Sequence, residues 1–196
     1  RLRQVRGGVP AAFLARQMGL PLFAPRGNAV DVSMVEGVEA YACSNIAELF
    51  CHLRGERPLQ KLDFALPEAK DLAIEPDFAD IRGQAAAKRG LEIAAAGSHG
   101  VIFVGSPGSG KTMLARAIRG ILPPLSDDEL IEVMRIRSAR GMHLNVDRTR
   151  PFRAVHHTSS VVAICGGGVD LKPGELSLAH RGVLFLDEIT EFRRDV

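Results

Sequence analysis

Eight consecutive residues, Gly105, Ser106, Pro107, Gly108, Ser109, Gly110, Lys111 and Thr112, restrict the fold of this chain more than any other stretch. They match G-x-x-x-x-G-K-[ST], directly after the apolar run Val101 to Val104 and directly before a segment with helical pattern. A strand, a glycine-rich turn and a helix in that order predict an α/β unit with a phosphate-binding loop. The glycines let the backbone wrap an oxyanion without Cβ clashes, and the N–H groups at the helix start add donors and the positive end of a dipole. Lys111 is placed to neutralise β- and γ-phosphate charge, and the Thr112 hydroxyl to reach a magnesium ion, which takes few protein ligands and keeps several waters.

A second acidic ligand is then required. The run Val183 to Leu186 ends in Asp187 and Glu188, as a buried parallel strand does when it delivers carboxylates at its carboxyl end. Asp187 is the expected magnesium ligand, and Glu188 the expected general base toward the attacking water. Either feature alone has an ordinary explanation, a punctuating turn or a solvated loop. Together and in this order they favour a site for ATP and Mg2+. Hydrolysis asks for more, because phosphoryl transfer also wants a positive group at the γ-phosphate, and no arginine of this chain is assignable to that place.

Around these motifs the chain divides in three. Residues 1–57 alternate short apolar runs with Gly and Pro, and end in a helical pattern of Ile46, Leu49, Phe50 and Leu53. Residues 58–76 hold Pro58, Pro67 and Pro76 among charges and read as an extended linker. Residues 77–196 carry the motifs. Within them a helix is expected around Gln84 to Ala96, another from Lys111 to about Arg119, stopped by Gly120, Pro123 and Pro124. A third follows Ser126, whose spacing to Glu129 makes a capping box ahead of an apolar face of Leu130, Val133 and Met134, with Ile136 beside it. The strand between this helix and Val183 has no clear periodic signature.

Composition excludes several classes. With 46% hydrophobic and 24% charged residues the chain is globular in type, and a net charge of +2 is too balanced to argue for nucleic acid by itself. No apolar run approaches the roughly 18 residues of a membrane span. Cys43, Cys51 and Cys165 form no C-x-x-C pair, so free thiols in a reduced, cytoplasmic compartment are expected.

Several segments together resemble the AAA+ ATPases of the magnesium-chelatase class, and most closely the ComM-like (YifB) bacterial proteins. Asp80, Ile81, Arg82, Gly83 and Gln84 resemble the D-I-x-G-Q opening of that class. Pro151, Phe152, Arg153, His156, His157 and Thr158 resemble its R-P-F-R-x-x-H-H-T run. Gly166 to Gly168, Pro173 to His180 and Gly182 to Glu188 resemble its G-G-G, P-G-E-x-S-L-A-H and G-V-L-F-L-D-E segments. The resemblance implies an AAA+ P-loop parallel-sheet core, Ile81 against the adenine, a hairpin insert before the acidic strand, and a ring-forming, hexameric ATPase. In the ComM branch it implies a DNA branch-migration helicase, which makes DNA a candidate partner.

Residues 1–57 resemble the end of the α+β Lon-protease-like domain that precedes the ATPase in those proteins. A Lon-type dyad needs a lysine just after a Gly-Gly turn. Here Gly7 and Gly8 are followed by Val9 and Pro10, and no lysine precedes Lys61, so a structural or assembly module is expected. The resemblance also places the ends of the chain inside longer domains, without the later strands, sensor residues, arginine finger and lid. The isolated 196 residues are therefore expected to fold poorly or to show negligible turnover.

Other residues invite chemistry less strongly. His156 and His157, with His143 and His180, match no zinc spacing, and neighbouring histidines on an extended chain point to opposite faces, which favours polar contacts over a metal site. Cys165 has no basic neighbour to activate it. Arg135, Arg137 and Arg140 fit a DNA-facing edge, a solvated helix or a subunit interface equally well. Three readings stay open: an ATP-driven DNA motor, a metal-chelatase motor subunit acting on a protein, and a nucleotide-binding piece without catalysis.

Overall fold

A computed structural model describes residues 1–66, 76–142 and 146–194; the expected linker beyond Leu66 and His143 fall outside the described residues. In chain order the elements are α1 (Gly8–Met18), β1 (Leu22–Pro25), α2 (Ala29–Ser33), β2 (Ala40–Cys43), α3 (Ile46–Leu53), α4 (Ala85–Gly97) and α5 (Lys111–Ala117). They continue as α6 (Asp127–Arg140), β3 (Phe152–Val155), α7 (Val161–Cys165), β4 (Gly166–Gly167), β5 (Lys172–Pro173), α8 (Glu175–Leu178) and β6 (Val183–Leu186). The result is a mixed α/β fold with small parallel sheets. It divides into two compact units that are discontinuous in sequence.

The first unit comprises Arg1–Ala69 and Asp127–Val146. Its β1 and β2 pair in parallel, Leu22 opposite Ala40 and Pro25 opposite Cys43. Small residues let α1 lie close to this pair, and Val9, Ala12, Ala15, Ala24, Val32 and Ala40 form the core. Helix α1 stops at Gly19, whose left-handed φ of 64° turns its N–H back to the Ala15 and Arg16 carbonyls. Asn28 is buried and satisfied on both ends of its amide: Val5 N–H donates to Oδ1 at 2.9 Å, and Nδ2 donates to the Val5 carbonyl at 2.8 Å.

Helix α6 docks on α1. Ser138, buried on α6, accepts from Val9 N–H through Oγ at 3.3 Å and from Gly7 N–H through its carbonyl at 3.0 Å. Leu130, Val133 and Met134 are buried as the apolar pattern predicts. Helix α3 forms where expected, capped by Asn45 accepting from Glu48 N–H. Yet Ile46, Phe50 and Leu53 are exposed, so its apolar stripe is not core. The chain after Pro58 does not run free: Leu59 N–H donates to His52 Nδ1, Leu62 N–H to the Ala40 carbonyl and Ala65 N–H to the Ser33 carbonyl.

The second unit comprises Lys70–Ser126 and Asp147–Val196. Ile81, Leu91 of α4, and Leu114 and Ala117 of α5 form its core cluster, with Phe78, Phe103 and Ile121 packed against it. Strands β3 and β6 pair in parallel, Phe152 opposite Val183 and Val155 opposite Leu186. Between them β4 and β5 make a short antiparallel hairpin, Gly166 opposite Pro173. Val101–Val104 is extended in sequence pattern but enters no ladder among the described residues. Only Phe103 of this run turns to the cluster, while Ile102 and Val104 are 79% and 92% exposed.

Candidate functional site

The Gly105–Thr112 loop and the Asp187-Glu188 pair both belong to the second unit. Gly108 and Gly110 take φ of +76° and +86°, a region that side chains rarely tolerate, so the turn needs glycine at both places. The turn closes through Ser109 N–H to the Ser106 carbonyl at 3.3 Å, and α5 starts with Leu114 N–H on the Gly110 carbonyl at 3.0 Å. Lys111 folds its ammonium back into the loop. Nζ donates to the Gly105 and Ser106 carbonyls, both at 2.8 Å, and lies 3.5 Å from Ser109 Oγ. Ser106, Pro107, Gly108 and Thr112 are exposed around it. A cation held by carbonyls in the mouth of an exposed loop is the charge that an incoming phosphate would meet.

Ile81 is only 2% exposed and packs with Leu91 and Leu114, so in this structure it supports α4 and α5 from beneath. The polar residues beside it face outward. Gln84, in a left-handed conformation at the start of α4, donates from Nε2 to the Ser109 carbonyl at 3.2 Å. Sequence reasoning did not single out Gln84 as a contact of the loop. Its place in the D-I-x-G-Q motif was the available signal.

The acidic pair sits at the carboxyl end of β6. Because β3 runs parallel beside it, the residues that follow both strands emerge at the same edge, and Asp187 N–H extends the pairing to the Val155 carbonyl at 3.3 Å. His156 and His157 therefore stand next to Asp187 and Glu188. Glu188 has a left-handed φ of 54° and opens a short turn, with Glu191 N–H on its carbonyl. Its Oε2 lies 2.9 Å from His157 Nδ1, an ion pair when the imidazole is protonated. The approach lacks the alignment of a hydrogen bond, and that buried ring nitrogen has no hydrogen-bond partner among the described residues. The expectation that the two histidines face opposite ways is corrected here: their rings tilt together with centroids 4.0 Å apart. The strand ends at Val155, so the alternation of an extended chain no longer governs residues 156 and 157.

Other motif residues hold this edge in place. Arg153 on β3 makes a two-pronged ion pair with Glu175 at the start of α8, Nη2 to Oε1 at 2.9 Å and Nε to Oε2 as the second prong. The carboxylate raises the arginine's pKa further above its usual value. Gly174 and Gly166 approach backbone to backbone, where a Cβ on either would collide with main-chain atoms of the hairpin and of α7. On the loop side, the Arg119 guanidinium lies over the Phe152 ring at 5.6 Å, and Phe152 stacks on Phe185.

Residues 77–196 match the family described as magnesium chelatase, subunit ChlI, and the chain belongs to that family. Within it the chain is of the ComM-like kind. It is 42% identical over 204 residues to the competence protein ComM of Haemophilus influenzae, covering 100% of this chain and 40% of that protein. It is 39% identical to the uncharacterized protein YifB of Escherichia coli, covering 98% of this chain and 38% of YifB. The magnesium-chelatase 67 kDa subunit of Heliobacterium mobile is 31% identical over 57% of this chain and 22% of its own length. The chain thus spans about two fifths of the length of the ComM and YifB relatives. No helix among the described residues is long and apolar enough to cross a membrane.

Proposed function

We propose that this chain binds ATP with Mg2+ through Gly105, Ser106, Pro107, Gly108, Ser109, Gly110, Lys111 and Thr112, and that the protein it represents hydrolyses ATP. The observation that carries the reading is Lys111, its ammonium drawn into an exposed loop by the Gly105 and Ser106 carbonyls between glycines that need positive φ. The donor set suits the pair of ligands. A lysine and backbone amides fit phosphate, while a threonine hydroxyl and an aspartate oxygen fit a hard, oxygen-seeking cation.

In this reading Lys111 leaves its carbonyl partners for the phosphates, and Gln84 braces the loop from outside. Thr112 and Asp187 hold the cation, whose bound charge would offset the charge of the phosphate oxygens. Glu188 accepts the proton of the attacking water at its carboxylate, and His157 positions that carboxylate. Ile81, packed with Leu91 and Leu114, is the residue that the family resemblance sets against the adenine.

The motor assembles as a ring of copies, hexameric by family resemblance, and its substrate is DNA in the ComM branch. What supports this branch is the extent of the relatives: ComM matches the whole chain, whereas the chelatase family match begins at residue 77. Residues 1–57, which resemble the end of a Lon-protease-like domain, are then a structural or assembly module. The test uses the full-length protein. Lys111→Ala should weaken ATP binding, and Glu188→Gln should keep binding while stopping turnover; if both variants behave as the parent, the site is wrong. DNA should stimulate turnover. Indifference to every DNA structure, with stimulation by a protein partner, would favour the chelatase-type motor instead.

A further inference from the structure

We propose a second cation site, distinct in chemistry from the one for Mg2+, in which His156, His157 and Glu188 hold a borderline divalent ion such as Zn2+. One ligand atom from each of the three lies within 4.8 Å of the others. Two imidazoles and one carboxylate form a set suited to Zn2+ or Co2+, and poorly suited to Mg2+, which seeks oxygen. The three residues come from the ends of the paired strands β3 and β6, so the parallel register brings them together.

The geometry needs only small adjustment. Four-coordinate zinc with bonds of about 2.0–2.1 Å places its ligand atoms roughly 3.3 Å apart. His157 Nδ1 and Glu188 Oε2 already stand 2.9 Å apart. That nitrogen is buried without a hydrogen-bond partner among the described residues, so ligation would supply one. The remaining ligands are free to adapt: His156 is exposed, and the Glu188 side chain is 60% exposed. His156 is held by Thr158: its Nδ1 accepts from Thr158 N–H at 3.3 Å and lies 2.9 Å from Thr158 Oγ1, which orients the ring. Three protein ligands leave a fourth position for water.

A metal ion here takes the Glu188 carboxylate away from any other task, which under the hydrolytic reading above would silence turnover. The site itself does not depend on that reading, because it is tested by metal binding with no nucleotide present. Co2+ titrated into the nucleotide-free full-length protein in the presence of Mg2+ should give the visible absorption of a tetrahedral ion, displaced by Zn2+. His156→Gln and Glu188→Gln should each weaken binding by about tenfold or more, with the circular dichroism of the parent retained, and His180→Gln should leave it unchanged. His157→Gln should weaken it as well, but the two exposed positions decide the matter if that variant folds poorly. Parent-like binding in the His156 and Glu188 variants, or a near-ultraviolet thiolate-to-cobalt band showing ligation by cysteine, would overturn the site.

Discussion

Gly182→Ala tests the strand pairing on which the site is built. Gly182 lies just before β6, and a Cβ placed there would collide with the Pro151 carbonyl oxygen and come within 2.8 Å of Pro151 C and N. All three are backbone atoms ahead of β3, so no rotamer can relieve the overlap, and φ of Gly182 is not in the left-handed region. The strands must part at this end, which sacrifices the 2.8 Å bond from Val183 N–H to the Pro151 carbonyl. Strain of this kind costs about 1–3 kcal/mol and the lost bond about 1 kcal/mol, so a loss of roughly 2–4 kcal/mol is expected. For a chain of this length that lowers the unfolding temperature by about 10 °C. Gly90→Ala is the matched control: it lies inside α4, a Cβ there meets nothing within 4 Å, and alanine should stabilise by about 0.5–1 kcal/mol. Thermal unfolding followed by circular dichroism reads both. A Gly182→Ala protein that melts at or above the parent temperature would show that β6 does not start against Pro151, and the side-by-side placement of the histidines and acids would lose its basis.

Other substitutions probe separate links. Glu175→Gln keeps the shape but removes the charge that Arg153 grips with two nitrogens; for this half-buried pair a loss of about 1–2 kcal/mol is expected in urea unfolding, with no loss meaning that the pair only decorates the surface. Asn45→Ala removes the acceptor for Glu48 N–H at 2.9 Å and should cost about 1 kcal/mol by the same measurement. Thiol labelling at pH 8 should separate the cysteines: exposed Cys165 reacts first, whereas Cys43 is buried and its pKa is raised by burial and then by Glu48, so it stays a protonated thiol and reacts only on unfolding.

The parts of the fold legible in the sequence are those with local causes. The turn from Gly105 to Thr112, helix α5 after it and the apolar run of β6 are written in contiguous residues, and they fall where pattern and punctuation place them. Long-range partners are not written that way. Strand β3 has four residues, one of them Arg153, whose charge hides the strand until Glu175 is seen to balance it. Helix α6 follows the loop-bearing segment in sequence, yet its apolar face and Ser138 select α1, which lies more than a hundred residues earlier. The same limit applies to α3, whose periodic pattern specifies a helix but not what, if anything, covers Ile46, Phe50 and Leu53.

The run Val101–Val104 shows why a pattern can be right about chemistry and silent about structure. Its apolar residues and the turn after it argue for a strand feeding a phosphate loop, but a strand is a relation between two segments, and its ladder bonds need a neighbour. Among the described residues β3 pairs with β6, and Ile102 and Val104 stay uncovered. The loop nonetheless keeps its form, because its conformation depends on Gly108, Gly110 and the Lys111 bonds rather than on the sheet. The histidines make the complementary case. Their residue types suggested polar contacts, but only the parallel register of β3 and β6 sets His157 against Glu188, so the chemistry of that edge follows from topology and not from the spacing of its residues in the chain.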